Sequence, residues 1–172
     1  MCNYKSGVGV RVDEVTVSAK TLAYNGKRDE NSHTVIRKEH GIGEDTGGMA
    51  GRYHTPLELK PVRGWSNLED FDLVFDAGKP DWWTDGMTEQ AREQLWSAIE
   101  RDMKRGKATI RTDYAGELAI PWHKSGDVVA RNATTLNLPL HESGDVVARN
   151  ATALNLPTVS YTHLTLPTNR EV

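Results

Sequence analysis

Val8, Val10 and Val12 alternate with glycine or polar residues, Asp13-Glu14 interrupts, and Val15, Val17 and Ala19 alternate again. A period of two turns one face of a pleated strand toward a core, and its interrupted repetition predicts a β-hairpin. Asn31 or Ser32 can cap a short helix through Val35, Ile36 and His40, with Gly41 taking the left-handed position that ends it. Leu57-Glu58-Leu59 and Phe71-Asp72-Leu73-Val74-Phe75 read as further strands. Proline donates no ladder hydrogen bond, so Pro56 and Pro61 are expected at an edge or at strand ends. The glycine-rich run from Gly41 to Gly51 reads as a loop and is the segment expected to be mobile.

A different period begins further along. Met87, Ala91, Leu95, Ala98, Ile99 and Met103 fall on one helical stripe, which predicts a helix over 85–105. Thr84 can accept its first amide hydrogens, Asp85 and Glu89 suit its positive end, and Lys104-Arg105-Gly106 suits the negative end and the stop. Pro80-Asp81-Trp82-Trp83 stands directly before it. In a turn entering a helix, one tryptophan can cover the core while the other lies on the surface.

The last third of the chain repeats itself. SGDVVARNATTLNLPLHE (125–142) is followed at once by SGDVVARNATALNLPTVS (143–160), identical at 14 of 18 positions. A diverged first copy, KATIRTDYAGELAIPWHK, occupies 107–124 and shares Leu118, Ile120, Pro121 and His123 with the register of Leu136, Leu138, Pro139 and His141. Each unit holds two extended pieces, around Val128–Arg131 and Leu136–Leu138, that are too short for helices. Leu136 and Leu138 alternate with Thr135 and Asn137, which points the leucines inward. One unit cannot bury its few apolar side chains alone, whereas stacked units, about 4.8 Å apart, set Leu on Leu and Val on Val. A β-solenoid is the favoured architecture, with a leucine-rich-repeat-like coil and an antiparallel meander as alternatives. The spacing of the left-handed hexapeptide helix is absent, so acyl transfer of that kind has no support.

The expected class is therefore α+β: a small N-terminal α+β domain over 1–106 that caps three 18-residue β repeats over 107–157. From Val159 the chain reads VSYTHLTLPT, which resembles the translation of a transposase mosaic-end sequencing adapter, and Asn169-Arg170-Glu171 fit a barcode. This resemblance implies that 158–172 is a non-native tail overwriting the end of 143–160, that His163 and Tyr161 carry no function, and that the native chain continued in more repeats. Leu164 and Leu166 as a fourth Leu-x-Leu-Pro copy is the alternative. A solenoid ending there would expose an uncapped last coil, prone to self-association. The whole arrangement, from Asn3-Tyr4-Lys5-Ser6-Gly7 through Pro80-Asp81-Trp82-Trp83 to the Leu-Pro repeats, resembles phage-associated and metagenomic proteins. That likeness implies a phage origin and brings no activity, cofactor or catalytic residue.

Composition narrows the partners. A net charge of −3 over 172 residues is too near neutral for sequence-independent nucleic-acid binding or for an acidic mimic of DNA. Cys2 is the single cysteine, which removes a disulfide framework and a thiolate zinc site. No run approaches the roughly 20 apolar residues of a membrane helix, and the N-terminus lacks a signal peptide's apolar core. The expected setting is the cytoplasm of an infected host cell or a virion.

Candidate chemistry is sparse. His33 and His40 lie seven residues apart, about two helical turns, too far to share a metal, and His54 does not complete a set, so neither metal nor cofactor is expected. His123 and His141 share a repeat register and would stack within about 5 Å, which predicts a lowered pKa through mutual repulsion, on turns expected to be solvated. Asp127 and Asp145 stack likewise, a pattern that can bind calcium, but Arg131 and Arg149 are placed to neutralise them. Asn132 and Asn150 suggest an amide ladder. Asp72, Asp76, Asp81 and Asp85 beside Trp82 and Trp83 suggest paired acids under a sugar-stacking platform. Ser6-Gly7-Val8-Gly9 and Gly41-Ile42-Gly43 lack the context of a phosphate loop and read as turns.

The sequence favours a non-enzymatic protein whose repeats bind a protein or polysaccharide, with Trp82, Trp83, Asp81, Arg131, Arg149, His123 and His141 as candidate contacts. A carbohydrate-active enzyme using Asp81 and the Trp pair, and an inhibitor docking a host protein through Trp82 or Trp83, are the alternatives.

Overall fold

The alternating valines at the start of the chain form strand β1 (Ser6–Asp13), paired antiparallel with β2 (Ser18–Ala23). The computed structural model describes residues 5–13, 18–23, 32–42, 54–65, 67–157 and 164–165. The hairpin is thus present, with Ala19 in its second strand. Val15 and Val17 lie outside the described residues, as do Cys2, Asn31, the run 43–51 and residues 158–163 and 166–172. A mixed α+β architecture results, with two α-helices and small sheets among the described residues. Contacts group the chain into two units, Met1–Lys60 with Asp72–Ile99, and Pro61–Phe71 with Glu100–Val172.

The first unit is built on a sheet in the order β2-β1-β3-β4, where β3 is His54–Pro61 and β4 is Phe71–Phe75. Pro61 does end β3, but Pro56 sits inside an interior strand, against expectation. The hydrogen-bond parity explains why this is tolerated. The Leu59 amide donates to the Lys5 carbonyl, so odd-numbered residues of β3 bond to β1 and Pro56 faces the other way. There its carbonyl accepts from the Asp76 amide, one residue beyond β4, and its missing N–H falls where the neighbouring strand has ended. A second correction concerns Ser6-Gly7-Val8-Gly9, which is strand rather than turn. Gly9 is small because the Trp83 ring lies over it: a Cβ there would stand 2.3 Å from Trp83 Cζ3.

Helix α1 (His33–Glu39) buries Ile36, and its first turn is closed by the Ile36 amide donating to the Ser32 carbonyl. Ser32 is the N-cap residue, although its side chain makes no capping bond. Helix α2 (Asp85–Arg105) has the predicted limits and buries Ala91, Leu95, Ala98 and Ile99 along the predicted stripe. Thr84 Oγ1 accepts from the Met87 amide at 3.4 Å. None of the described helices is long and apolar enough to cross a membrane.

In the second unit the 18-residue units become parallel ladders. One sheet runs β10-β8-β6, from Ala153–Asn155, Thr135–Asn137 and Glu117–Ala119. The other runs β11-β9-β7-β5, from Leu164–Thr165, Val146–Val147, Val128–Ala130 and Ile110–Thr112. Every pairing joins residues 18 apart, as in Leu118↔Leu136↔Leu154 and Ile110↔Val128↔Val146. Leu118, Ile120, Leu136, Leu138, Val128 and Val146 are buried, so the repeat apolar residues form the core of this unit. Leu164–Thr165 are the described part of the stretch that resembles adapter, and they pair with Val146–Val147 at the same offset. Main-chain hydrogen bonds make that pairing, so it does not depend on a repeat-like sequence.

Candidate functional site

The stacked units repeat their exposed side chains as well as their buried ones. Asn155 donates to Asn137 Oδ1 at 2.9 Å, Asn150 to Asn132 Oδ1 at 3.5 Å, and the Thr152 hydroxyl to the Thr134 carbonyl at 3.2 Å. The Asp145 amide donates to Asp127 Oδ1 at 3.1 Å. Arg131 and Arg149 are exposed, and among the described residues no ion pair joins either to Asp127 or Asp145. The two arginines therefore form a row of like charge facing solvent, one strand spacing (about 4.8 Å) apart. At the Pro-x corner of each unit, Trp122 is half-buried and Leu140 is 46% exposed. Trp122 and Leu140 occupy the same repeat register, which self-comparison could have aligned had residue identity not been the criterion.

His123 and His141 are not solvated turn residues; both are fully buried. Their rings stack with centroids 5.0 Å apart, and their Nδ1 atoms are 3.0 Å apart. Burial follows from the corner itself, where the His123 and His141 amides donate to the Ile120 and Leu138 carbonyls and fold each ring back under the turn. A carbonyl can only accept, so His123 donates its Nε2 hydrogen to Ala108 at 2.8 Å. His141 Nε2 likewise faces the Gly144 carbonyl, at 3.4 Å, so the two Nδ1 atoms share a single hydrogen between them, and a second proton there would destroy that bond.

Burial lowers the His123 pKa from 6.5; the Ala108 hydrogen bond opposes this and the nearby His141 charge adds to it. The folded pKa lies below the unfolded one, so the unfolded chain binds the extra proton more readily. This contribution is fully present above pH 6.5 and is lost as pH falls through the folded pKa. Urea midpoints are expected to be level above that value and to decline below it, with the decline reduced in His123→Gln. An unchanged acid slope in the variant would assign the loss to other groups.

Trp82 and Trp83 divide as expected in part. Trp83 is 5% exposed, packs edge-on against Phe75 at 5.1 Å and donates Nε1–H to Thr88 at 3.0 Å. Trp82 is half-buried, 5.6 Å from Trp83, and Asp81 is exposed. A sugar ring could stack on Trp83 only after it left the core. Two of the four nearby acids take separate partners: Asp85 lies 2.9 Å from Lys79 Nζ, while Asp76 faces His33.

That last contact belongs to a group which sequence spacing does not reveal. His33 at the start of α1, Glu58 in β3 and Asp76 after β4 each present a ligand atom, all within 4.8 Å of one another. His33 Nε2 lies 3.0 Å from the Leu57 carbonyl, and its Nδ1 lies 3.3 Å from Asp76 Oδ2. Glu58 is 2% exposed, with Lys60 Nζ 3.9 Å away. His40 is exposed, and His54 Nε2 lies 3.3 Å from Arg37 Nη1, so the three histidines do not act as a set. Comparison with protein-family models, curated proteins and solved structures finds no match to this chain.

Proposed function

We propose that the chain is a non-enzymatic binding protein whose 18-residue units form a β-solenoid, and that the partner is a polymer carrying regularly spaced acidic groups. The observation that carries this reading is the in-register pair Arg131 and Arg149, exposed and in no ion pair among the described residues, with Asp113 at the same register of the first copy marking where the basic pair begins. A guanidinium binds carboxylate with two parallel N–H donors, and contacts that are weak singly add along an array. The half-buried Trp122 and exposed Leu140 give the same array an apolar row beside its polar ones. A solenoid is supported by parallel bridges that continue through the corners, Lys107 to Ser125 to Ser143.

Titration with an acidic polysaccharide such as polygalacturonate is expected to give saturable tryptophan quenching without release of reducing ends. Arg131→Ala with Arg149→Ala should weaken binding about 100-fold or more, in line with two lost charge-assisted contacts at roughly 1.5 kcal/mol or more each. Equal binding by the double variant would sink the arginine-row reading. Released reducing ends would instead favour a carbohydrate-active enzyme.

A further inference from the structure

We propose that His33, Glu58 and Asp76 bind one first-row divalent metal ion, with zinc the best fit. The argument starts from hydrogen positions. The Leu57 carbonyl fixes the His33 hydrogen on Nε2, which leaves the Nδ1 lone pair directed at a carboxylate oxygen 3.3 Å away. Two acceptors face each other only when a cation, a proton or a metal, lies between them. Ligating histidines characteristically donate their second ring hydrogen to a backbone carbonyl, as His33 does.

One separation already fits, and Glu58, within 4.8 Å of the other two ligand atoms, would close on the ion. With zinc–ligand bonds near ~2.1 Å and tetrahedral angles, two ligand atoms lie ~3.4 Å apart, close to the 3.3 Å between His33 Nδ1 and Asp76 Oδ2. Glu58 adds a carboxylate held in a buried position, where a divalent charge offsets its desolvation. One imidazole with two carboxylates suits a borderline cation such as zinc better than magnesium or calcium, which prefer all-oxygen sets. Three protein ligands leave a fourth position for water. The ligands come from α1, from β3 and from the turn after β4, so a bound ion would fasten these three elements together.

The test uses the full chain without a polyhistidine tag. Isothermal titration with Zn2+ is expected to show one equivalent bound. Co2+ should give a visible d–d band that excess Mg2+ does not remove. Asp76 is exposed, so Asp76→Asn should fold, and it should lose at least ~10-fold in Zn2+ affinity; His33→Gln should do the same. His40→Ala should bind as the unaltered chain does. Absence of binding by the unaltered chain would show that a proton alone bridges His33 and Asp76, and it would overturn the proposal. So would undiminished affinity in Asp76→Asn, or a loss in His40→Ala as large as in Asp76→Asn.

Discussion

Gly126→Ala is expected to destabilise the chain by roughly 3 kcal/mol or more, among the largest effects of any single substitution. Two costs combine. Gly126 has φ +104°, a conformation that L side chains adopt only at a cost of about 1–3 kcal/mol. A Cβ there would also stand 2.3 Å from the Ala108 carbonyl oxygen and 2.8 Å from its carbon. Those atoms are backbone of the preceding unit and cannot rotate aside. Moving them would disturb the Ala108 amide, which donates to the Ser125 carbonyl, and the Gly126 amide, which donates to Ser143. Gly144 repeats the arrangement one unit later, with φ +113° and the Gly126 carbonyl oxygen 2.4 Å from a built Cβ. The equivalent residue of the first copy is Ala108, which has no positive φ and lies in the unit whose strand β5 ends its sheet. Glycine is thus required where one unit lies against the backbone of another. Urea denaturation should show a marked drop in midpoint for Gly126→Ala and little change for Gly86→Ala, whose built Cβ comes no closer than 3.9 Å to its surroundings. Equal midpoints would contradict the close approach.

This close approach was readable in the repeat itself, because near-identical units can satisfy identical backbones only by a constant offset. The ladders at 18 residues, the inward leucines and the asparagine rows all follow from that constraint. The limits of α2 were equally readable, since Thr84 and Gly106 act locally, within one turn of the helix ends. What escaped depends on contacts between distant segments. Pro56 is tolerated inside a sheet because β4 stops at Phe75, a fact about another strand. Gly9 looks like turn chemistry until Trp83, more than 70 residues later, is laid over it. His123 and His141 share a register, which fixed their stacking, whereas their burial depends on how the corner folds. His33, Glu58 and Asp76 come from a helix, a strand and a turn, with no spacing rule to link them.

The same stacking sets a graded cost for removing leucines. Leu136 is fully buried, with Leu118 on one side and Leu154 on the other in parallel register. Leu136→Ala should therefore cost about 2–5 kcal/mol, through lost transfer energy and the cavity left behind. Collapse into that cavity is resisted because the neighbouring backbones are held on both sides: the Ile120 amide donates to Asn137, and the Leu138 amide to Asn155. Leu154 occupies the same register, but β10 ends its sheet and the side chain is only half-buried. Leu154→Ala should cost less than half as much, for the same atoms removed from an identical local sequence. Urea midpoints of the two variants, with amide exchange at Leu138 slower than at Leu156, would establish that each leucine is buried by the units flanking it. Equal losses would mean that each unit buries its own leucine, and mutual stacking would then not be the source of the core.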